Sequence, residues 1–564
     1  MAVDVSQGIA SLPYHEPGIV TILLLTSFLL LLNVINAALD RLLYCGLLGQ
    51  VLVGIAWGAP GTKWLTASVQ ETVVQLGYLG LILLVYEGGL STWFQSLKAN
   101  LLLSTAVALT GIALPIGLSY TLQGLLDATP VQAFAAGAAL CSTSLGTTFT
   151  VLASSGLASS RLGVVLTSAA MMDDVVGLVM VQVISNLGDD DFSYITVVRP
   201  VLVSVAFAIV APLVCLFVAK PLTVGLNSYR KTYPNARMKD LLQRTQAAFT
   251  IHTLILVGLV TGATYAGTSN LFAAYIAGAA ISWWDTEVTH VVYQTSESAG
   301  AAGVGVGVSS TRTTAVDPDG IVTSMPRTEV DQDSDSKHSH QSTSDEASHQ
   351  TDGSAIYEHY YQPSVSKILQ PFFFASIGFS IPITRMFRGA IIWRGVVYTI
   401  LMAVGKLACG LWLLRLPALS GKGRLGKLLP KVQLPSVPHL WGKSHHARPT
   451  AQAGATPTQP SPNAQKPFSL HPPLILALAM CARGEIGFLI SGVAESRGVF
   501  SADGKAADEP TDMFLVVTWA IVLCTIMGPL GVGLAVRRVK KLQLRKDKQE
   551  DGAERDVLGV WGVK

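Results

Sequence analysis

The sequence predicts an all-α, polytopic membrane protein with about thirteen transmembrane helices. Three observations carry that prediction. Half of the 564 residues are hydrophobic and only 13% are charged, against about 25% charged residues in soluble domains. The mean hydropathy is +0.47. The apolar residues also fall into runs near the ~20 residues that cross a bilayer, separated by polar connections. The net charge of +3 is close to neutral, and no nucleic-acid partner is expected. The six cysteines (Cys45, Cys141, Cys215, Cys409, Cys481 and Cys524) lie in or beside apolar segments without a CxxC pair. They read as packing residues, and neither a metal site nor a cofactor is expected.

The runs lie near 18–37, 42–58, 72–90, 101–124, 131–153, 161–186, 200–220, 247–266, 268–284, 364–383, 389–415, 471–494 and 513–536. The short second and ninth runs suit re-entrant or tilted elements. Residues 1–17 carry no Lys or Arg, so the first run reads as a retained helix rather than a signal peptide. The chain then divides into a first membrane block (18–285), a Ser-, Asp- and His-rich loop (286–362), a second block (363–416), a basic Pro-rich loop (417–470), a third block (471–536) and a basic tail (537–564). Both loops lack an apolar period and read as disordered, and the histidines of the first as plain linker. Lys and Arg cluster in the tail, in 417–470 and after Lys220, which places those three in the cytoplasm and the N-terminus outside. Arg385, Arg388 and Arg394 fall on the wrong side of that scheme.

Chemistry concentrates in the apolar runs. Asp173 and Asp174 sit side by side in LTSAAMMDDVVGLVMVQVI. A carboxylate at bilayer depth costs roughly 2.5–3.5 kcal/mol, so two of them ask for a wet cavity, a cationic partner or a role in moving ions. Adjacent helical positions point about 100° apart, so one can face a cavity while the other faces a helix. A deprotonated carboxylate is a hard oxygen ligand for a small cation, and proton and cation then compete for it. Lys406, deep in LMAVGKLACGLWLL, cannot easily snorkel and wants a carboxylate, with Asp173 the candidate. A packing salt bridge is the alternative role. In the fifth run Ser142, Thr143, Ser144 and Thr147 crowd around Gly146. Such a run can unwind and offer hydroxyl and carbonyl oxygens to a cation, or simply pack through its hydroxyls. Arg483 and Glu485, two apart in LAMCARGEIGFLISG, either neutralise the ends of a broken helix or touch the ion. Glu87 reads as a snorkelling surface carboxylate and His252 as a buried, satisfied histidine.

The segments STSLGTTFTVL, MMDDVVGLVM, NLFAAYIAGAAI, QPFFFASIGFSIPI, VGKLACG and ARGEIGFLI, in this order, resemble the monovalent cation/proton antiporter superfamily. The resemblance is to its second branch, the two-aspartate sodium/proton and potassium/proton exchangers. It implies an inverted-repeat fold with two crossed discontinuous helices, here at Ser142–Thr148 and Arg483–Gly487. It further implies a homodimer, a mobile core domain and elevator-like alternating access. Asp174 takes the position of the cation-binding aspartate, and Asp173 that of the aspartate paired with a lysine, here Lys406. That pairing is associated with electrogenic exchange. Ser144 stands where some sodium/proton members carry an acidic residue.

The expected activity is therefore exchange of a monovalent cation for protons, Na⁺ first, with Li⁺ as surrogate and K⁺ open. The expected setting is the plasma membrane, in pH homeostasis and salt tolerance. A gated monovalent cation channel or a potassium efflux system is the alternative. An intramembrane aspartyl protease would need its carboxylates on two facing helices, which adjacent positions on one helix cannot supply, so no enzyme is expected.

Overall fold

The computed structural model describes residues 16–43, 45–92, 94–144, 157, 160–188, 194–232, 245–287, 352–414, 470–501, 509–547, 558 and 561. Among these residues the regular structure is entirely helical. Nine of the helices are long and apolar enough to cross a membrane, as an integral multi-pass protein requires. Of the other apolar runs, among the described residues the second and fifth form helices of 12 and 10 residues, the ninth an 18-residue helix, and the tenth a helix with a π turn.

The chain opens with α1 (Ile19–Leu43), α2 (Gly46–Trp57) and α3 (Ala67–Leu90). The second predicted run is thus only 12 residues of helix. It stops because the chain turns back through Gly58–Thr62, where the Thr62 N–H and hydroxyl both donate to the Ala56 carbonyl (2.8 and 2.9 Å). Next come α4 (Phe94–Ser119), kinked at Asn100, and α5 (Leu122–Leu126). α6 (Pro130–Ala139) begins with a capping box between Thr129 and Gln132 and with proline at its first turn. α7 (Arg161–Leu187) is started by Ser160, whose hydroxyl accepts the Gly163 N–H.

α8 (Tyr194–Val214) passes through a π turn, Cys215–Ala219, into α9 (Lys220–Thr232), and α10 (Thr245–Ala266) and α11 (Asn270–Glu287) follow. A second continuous helical run then joins α12 (Gly353–Ile356), α13 (Gln362–Ser364) and α14 (Gln370–Phe379) through π turns at Tyr357–Tyr361 and Val365–Leu369. Each of the three π turns ends two residues before a proline: Pro221, Pro363 and Pro371. Proline lacks an N–H and its ring clashes with the carbonyl four residues earlier, and a widened turn relieves both faults without breaking the helix.

The stretch 286–362, read as loop, is helical at both ends, since α11 reaches Glu287 and the second run starts at Gly353. The polar sequence YEHYYQP hides a packed face. Gly353, Ile356 and Tyr357 are buried, and the Asp285 carboxylate accepts the Gly353 N–H at 2.7 Å. Residues 288–351 and 415–469 lie outside the described residues, as do 1–15.

The chain closes with α15 (Ile383–Met386), α16 (Gly389–Leu407), which tightens into a 3₁₀ turn at Ala408–Leu413, α17 (His471–Met480), α18 (Glu485–Ser496) and α19 (Asp512–Asp547). Arg385, which the charge rule misplaced, donates to Glu509 (2.9 Å) and Asp512 (3.3 Å) at the start of α19. The tail is partly anchored: Leu558 and Trp561 are buried, with the Arg161 guanidinium 5.1 Å above the Trp561 ring.

Two bundles result. α1–α3, α10, α11 and α14 pack together, with backbone-to-backbone contact where Gly54 meets Ala375 and Gly278 meets Tyr86. α4, α6, α7 and α16–α19 form the other. They meet where α7 lies against α11 and where α14 touches α18, and α8 packs alongside α7. Each bundle thus draws on both halves of the chain, as an inverted repeat would.

Candidate functional site

Two helices of the second bundle are interrupted at the same place. α6 stops at Ala139 and the chain runs non-helically to Ser144, while α17 stops at Met480 and α18 begins only at Glu485. The two breaks touch directly, the Ser144 N–H donating to the Ala482 carbonyl at 3.0 Å. Gly484 is required there: a Cβ on it would lie 2.6 Å from the Ser144 Oγ.

A helix end in an apolar interior leaves carbonyls that need donors. Buried cations supply them. The Lys406 ammonium, wholly buried, spends its three hydrogens on the Cys141 carbonyl (2.6 Å), the Thr143 hydroxyl (2.9 Å) and Asp173 Oδ2 (2.6 Å). Arg483, also wholly buried, donates through Nη1 to the carbonyls of Ser142 (2.8 Å) and Met480 (3.3 Å). The Thr525 hydroxyl on α19 donates to the Arg483 carbonyl at 2.9 Å. Both cations thus stand at the C-terminal ends of half-helices, where the helix dipole is negative.

The adjacent aspartates have different surroundings. Asp173 is 0% exposed and its Oδ2 also accepts the Thr143 hydroxyl at 2.9 Å. Asp174, 8% exposed, has no ion-pair partner among the described residues. The Thr143 backbone amide and the Glu485 carboxyl both lie within electrostatic reach of its carboxylate. Tyr275 of α11, in the opposite bundle, lies within reach of its charge and is held by a 3.0 Å contact between its hydroxyl and that of Thr92. Asp174 therefore sits at the boundary between the bundles. Of the predicted hydroxyls, Ser142, Thr143 and Ser144 are at the crossing, the Ser144 Oγ without a hydrogen-bond partner among the described residues. Thr147 lies outside the described residues.

Sequence reasoning missed Gly111, Thr525 and Tyr275. Gly111 of α4 makes room for the ion pair: a Cβ there would lie 3.1 Å from Lys406 Nζ and 3.2 Å from Asp173 Oδ2. Gly111→Val is expected to destabilise the protein by about 1–3 kcal/mol, the range for overpacking a filled interior. A thermal melt of the purified variant checks this, and an unchanged midpoint would contradict the crowding. His252 is buried edge-on against Trp284 (6.4 Å between ring centroids), in the other bundle. Glu87, read as a surface carboxylate, is instead half-buried beside Tyr357.

A sequence profile described as sodium/hydrogen exchanger, transmembrane, matches residues 24–306, half of the chain. The chain belongs to the sodium/hydrogen exchanger family. The matched half contains both aspartates and the first helix break, whereas Lys406, Arg483 and Glu485 lie beyond it. The Na(+)/H(+)-K(+) antiporter GerN of Bacillus cereus is 33% identical over 152 residues, 27% of this chain and 39% of that protein. The Na(+)/H(+) antiporter of Enterococcus hirae is 26% identical over 256 residues, 45% of this chain and 62% of that one. The chain thus spans less than two thirds of the length of these relatives. Its fold is similar to that of the sodium proton antiporter MjNhaP1 from Methanocaldococcus jannaschii, with a TM-score of 0.51 at 12% identity, covering 92% of this chain and 98% of the other.

Proposed function

We propose that this protein is a secondary active antiporter that exchanges a monovalent cation for protons. The observation that carries the reading is the asymmetry of the aspartate pair. Asp173 is paired through Oδ2 with Lys406 and Thr143, whereas Asp174 is nearly buried, lies on α7 where it meets α11, and has no ion-pair partner among the described residues. An unpaired buried carboxylate is costly, and either a proton or a small cation removes the cost. The two ligands exclude each other, which couples their movements.

Asp174, the Ser142–Ser144 segment and Glu485 are the proposed ion site, with Lys406 and Arg483 holding the crossing in shape. The bundle that carries them moves against the bundle of α1–α3, α10, α11 and α14, exposing Asp174 first to one side of the membrane and then to the other. Na⁺ is the first expected cation, with Li⁺ as surrogate and K⁺ next. The broad apolar faces of α1 and of Val197–Leu226, only 11% and 6% buried, suit lipid and a second copy in a plasma-membrane homodimer.

Competition is directly testable. A ligand that binds only the folded state raises the melting temperature, the more so the further its concentration exceeds its Kd. Na⁺ or Li⁺ is expected to raise the midpoint of the detergent-purified protein at alkaline pH and to lose that effect as acid fills Asp174. A cation effect of equal size at both pH values would contradict a shared site.

A further inference from the structure

The last helix is longer than a membrane is thick. Asp512 and Arg537 bracket 24 uncharged residues of α19. That is about 36 Å of helix, against a hydrocarbon layer of about 30 Å. Arg537 therefore stands at the edge of the apolar layer, and Arg538, Lys540 and Lys541 follow it within about 6 Å along the axis. The helix continues to Asp547, and the charge rule places this end in the cytoplasm.

The extension has two unlike faces. Val536 and Val539 are buried and Leu542 half-buried, in the apolar cluster that also holds Leu162 and Val165 of α7. Leu558 and Trp561 of the tail are buried in the same cluster, with Trp561 under the Arg161 guanidinium. This face is therefore fixed to the bundle, and the helix cannot turn it outward.

The opposite face forms one line along the helix. Met527 and Leu534 are 48% and 58% exposed, and Leu523 and Leu530 are half-exposed. Their spacing (i, i+4, i+7, i+11) keeps them on one side of the helix. Arg537, Arg538 and Lys541 lie three, four and seven residues beyond Leu534, so they continue the same line, and all three are exposed. The side of α19 that meets acyl chains along Leu523–Leu534 thus becomes cationic at the depth where headgroups begin.

We infer that Arg537, Arg538 and Lys541 form a binding surface for the anionic phospholipid headgroups of the cytoplasmic leaflet, held in place by the docked Leu558–Trp561 turn. Lys and Arg just outside a membrane helix are drawn to such headgroups by their negative surface potential. The surface goes beyond the antiporter reading and does not depend on which ion is carried.

The test titrates the detergent-purified protein with phosphatidylserine or phosphatidylcholine in mixed micelles and follows the melting midpoint. Phosphatidylserine is expected to raise the wild-type midpoint at lower concentration than phosphatidylcholine, and choline chloride at high ionic strength to remove the difference by screening. Each cation near an anionic lipid surface contributes about fivefold to binding. The triple variant Arg537→Gln/Arg538→Gln/Lys541→Gln is then expected to need about a hundredfold more phosphatidylserine for the same shift. Arg537→Lys/Arg538→Lys, which keeps the charge, is expected to respond as wild type does. Equal wild-type responses to the two lipids would overturn the proposal, and that comparison decides even if the triple variant fails to fold. An unchanged phosphatidylserine response in the triple variant would overturn it too. So would an equal shift from inorganic phosphate alone, which would make the surface a site for soluble anions rather than for lipid.

Discussion

Asp174→Asn is expected to abolish cation-driven proton movement while the protein still folds. Asparagine keeps the shape but removes both the titrating group and the charge that a bare cation needs at this depth. Losing one member of a desolvated charge pair costs about 2–5 kcal/mol. That weakens cation binding by a factor of about 30 or more. The folded state does not suffer, because Asp174 has no ion-pair partner among the described residues to lose, and the substitution removes a buried charge. The variant should purify and melt at or above the wild-type temperature and fail in vesicles. Normal exchange by this variant would mean that Asp174 is not the coupling residue.

Lys406→Ala has the opposite signature, a loss of stability first. The ammonium satisfies Cys141, Thr143 and Asp173 together, so its removal strands a helix-end carbonyl and a fully buried carboxylate. Breaking a buried pair from one side typically costs about 3–5 kcal/mol. Replacing both partners, with Asp173→Asn and Lys406→Met, is expected to recover most of that loss, because the penalty lies in the stranded charge. Equal melting midpoints for Lys406→Ala and wild type would show that the pair does not hold the crossing.

Much of this site was legible in the sequence, because a charge in an apolar run is rare and costly. Asp173, Asp174, Lys406, Arg483 and Glu485 stand out by that criterion alone, and the structure gathers them at one crossing. Helical geometry called for two different roles for the aspartates, and the family resemblance implied which takes which. Other features were not legible. Gly111 matters only because Lys406 Nζ and Asp173 Oδ2 lie just beyond it, a tertiary fact with no local signal. Tyr275 sits in an unremarkable apolar helix of the other bundle. The helical start at Gly353 was hidden by polar aromatic residues whose buried face forms against α3, α10 and α11. The π turns did leave a trace, a proline two residues beyond each, that becomes readable once the helices are in view.

The most direct test of cation/proton exchange is proton flux in proteoliposomes loaded with a pH-sensitive dye. An imposed Na⁺, Li⁺ or K⁺ gradient should drive protons in the opposite direction in wild type, with Na⁺ or Li⁺ the most effective, and should drive none in Asp174→Asn. Cation flux without proton movement would contradict the account and make the protein a conduit rather than an exchanger.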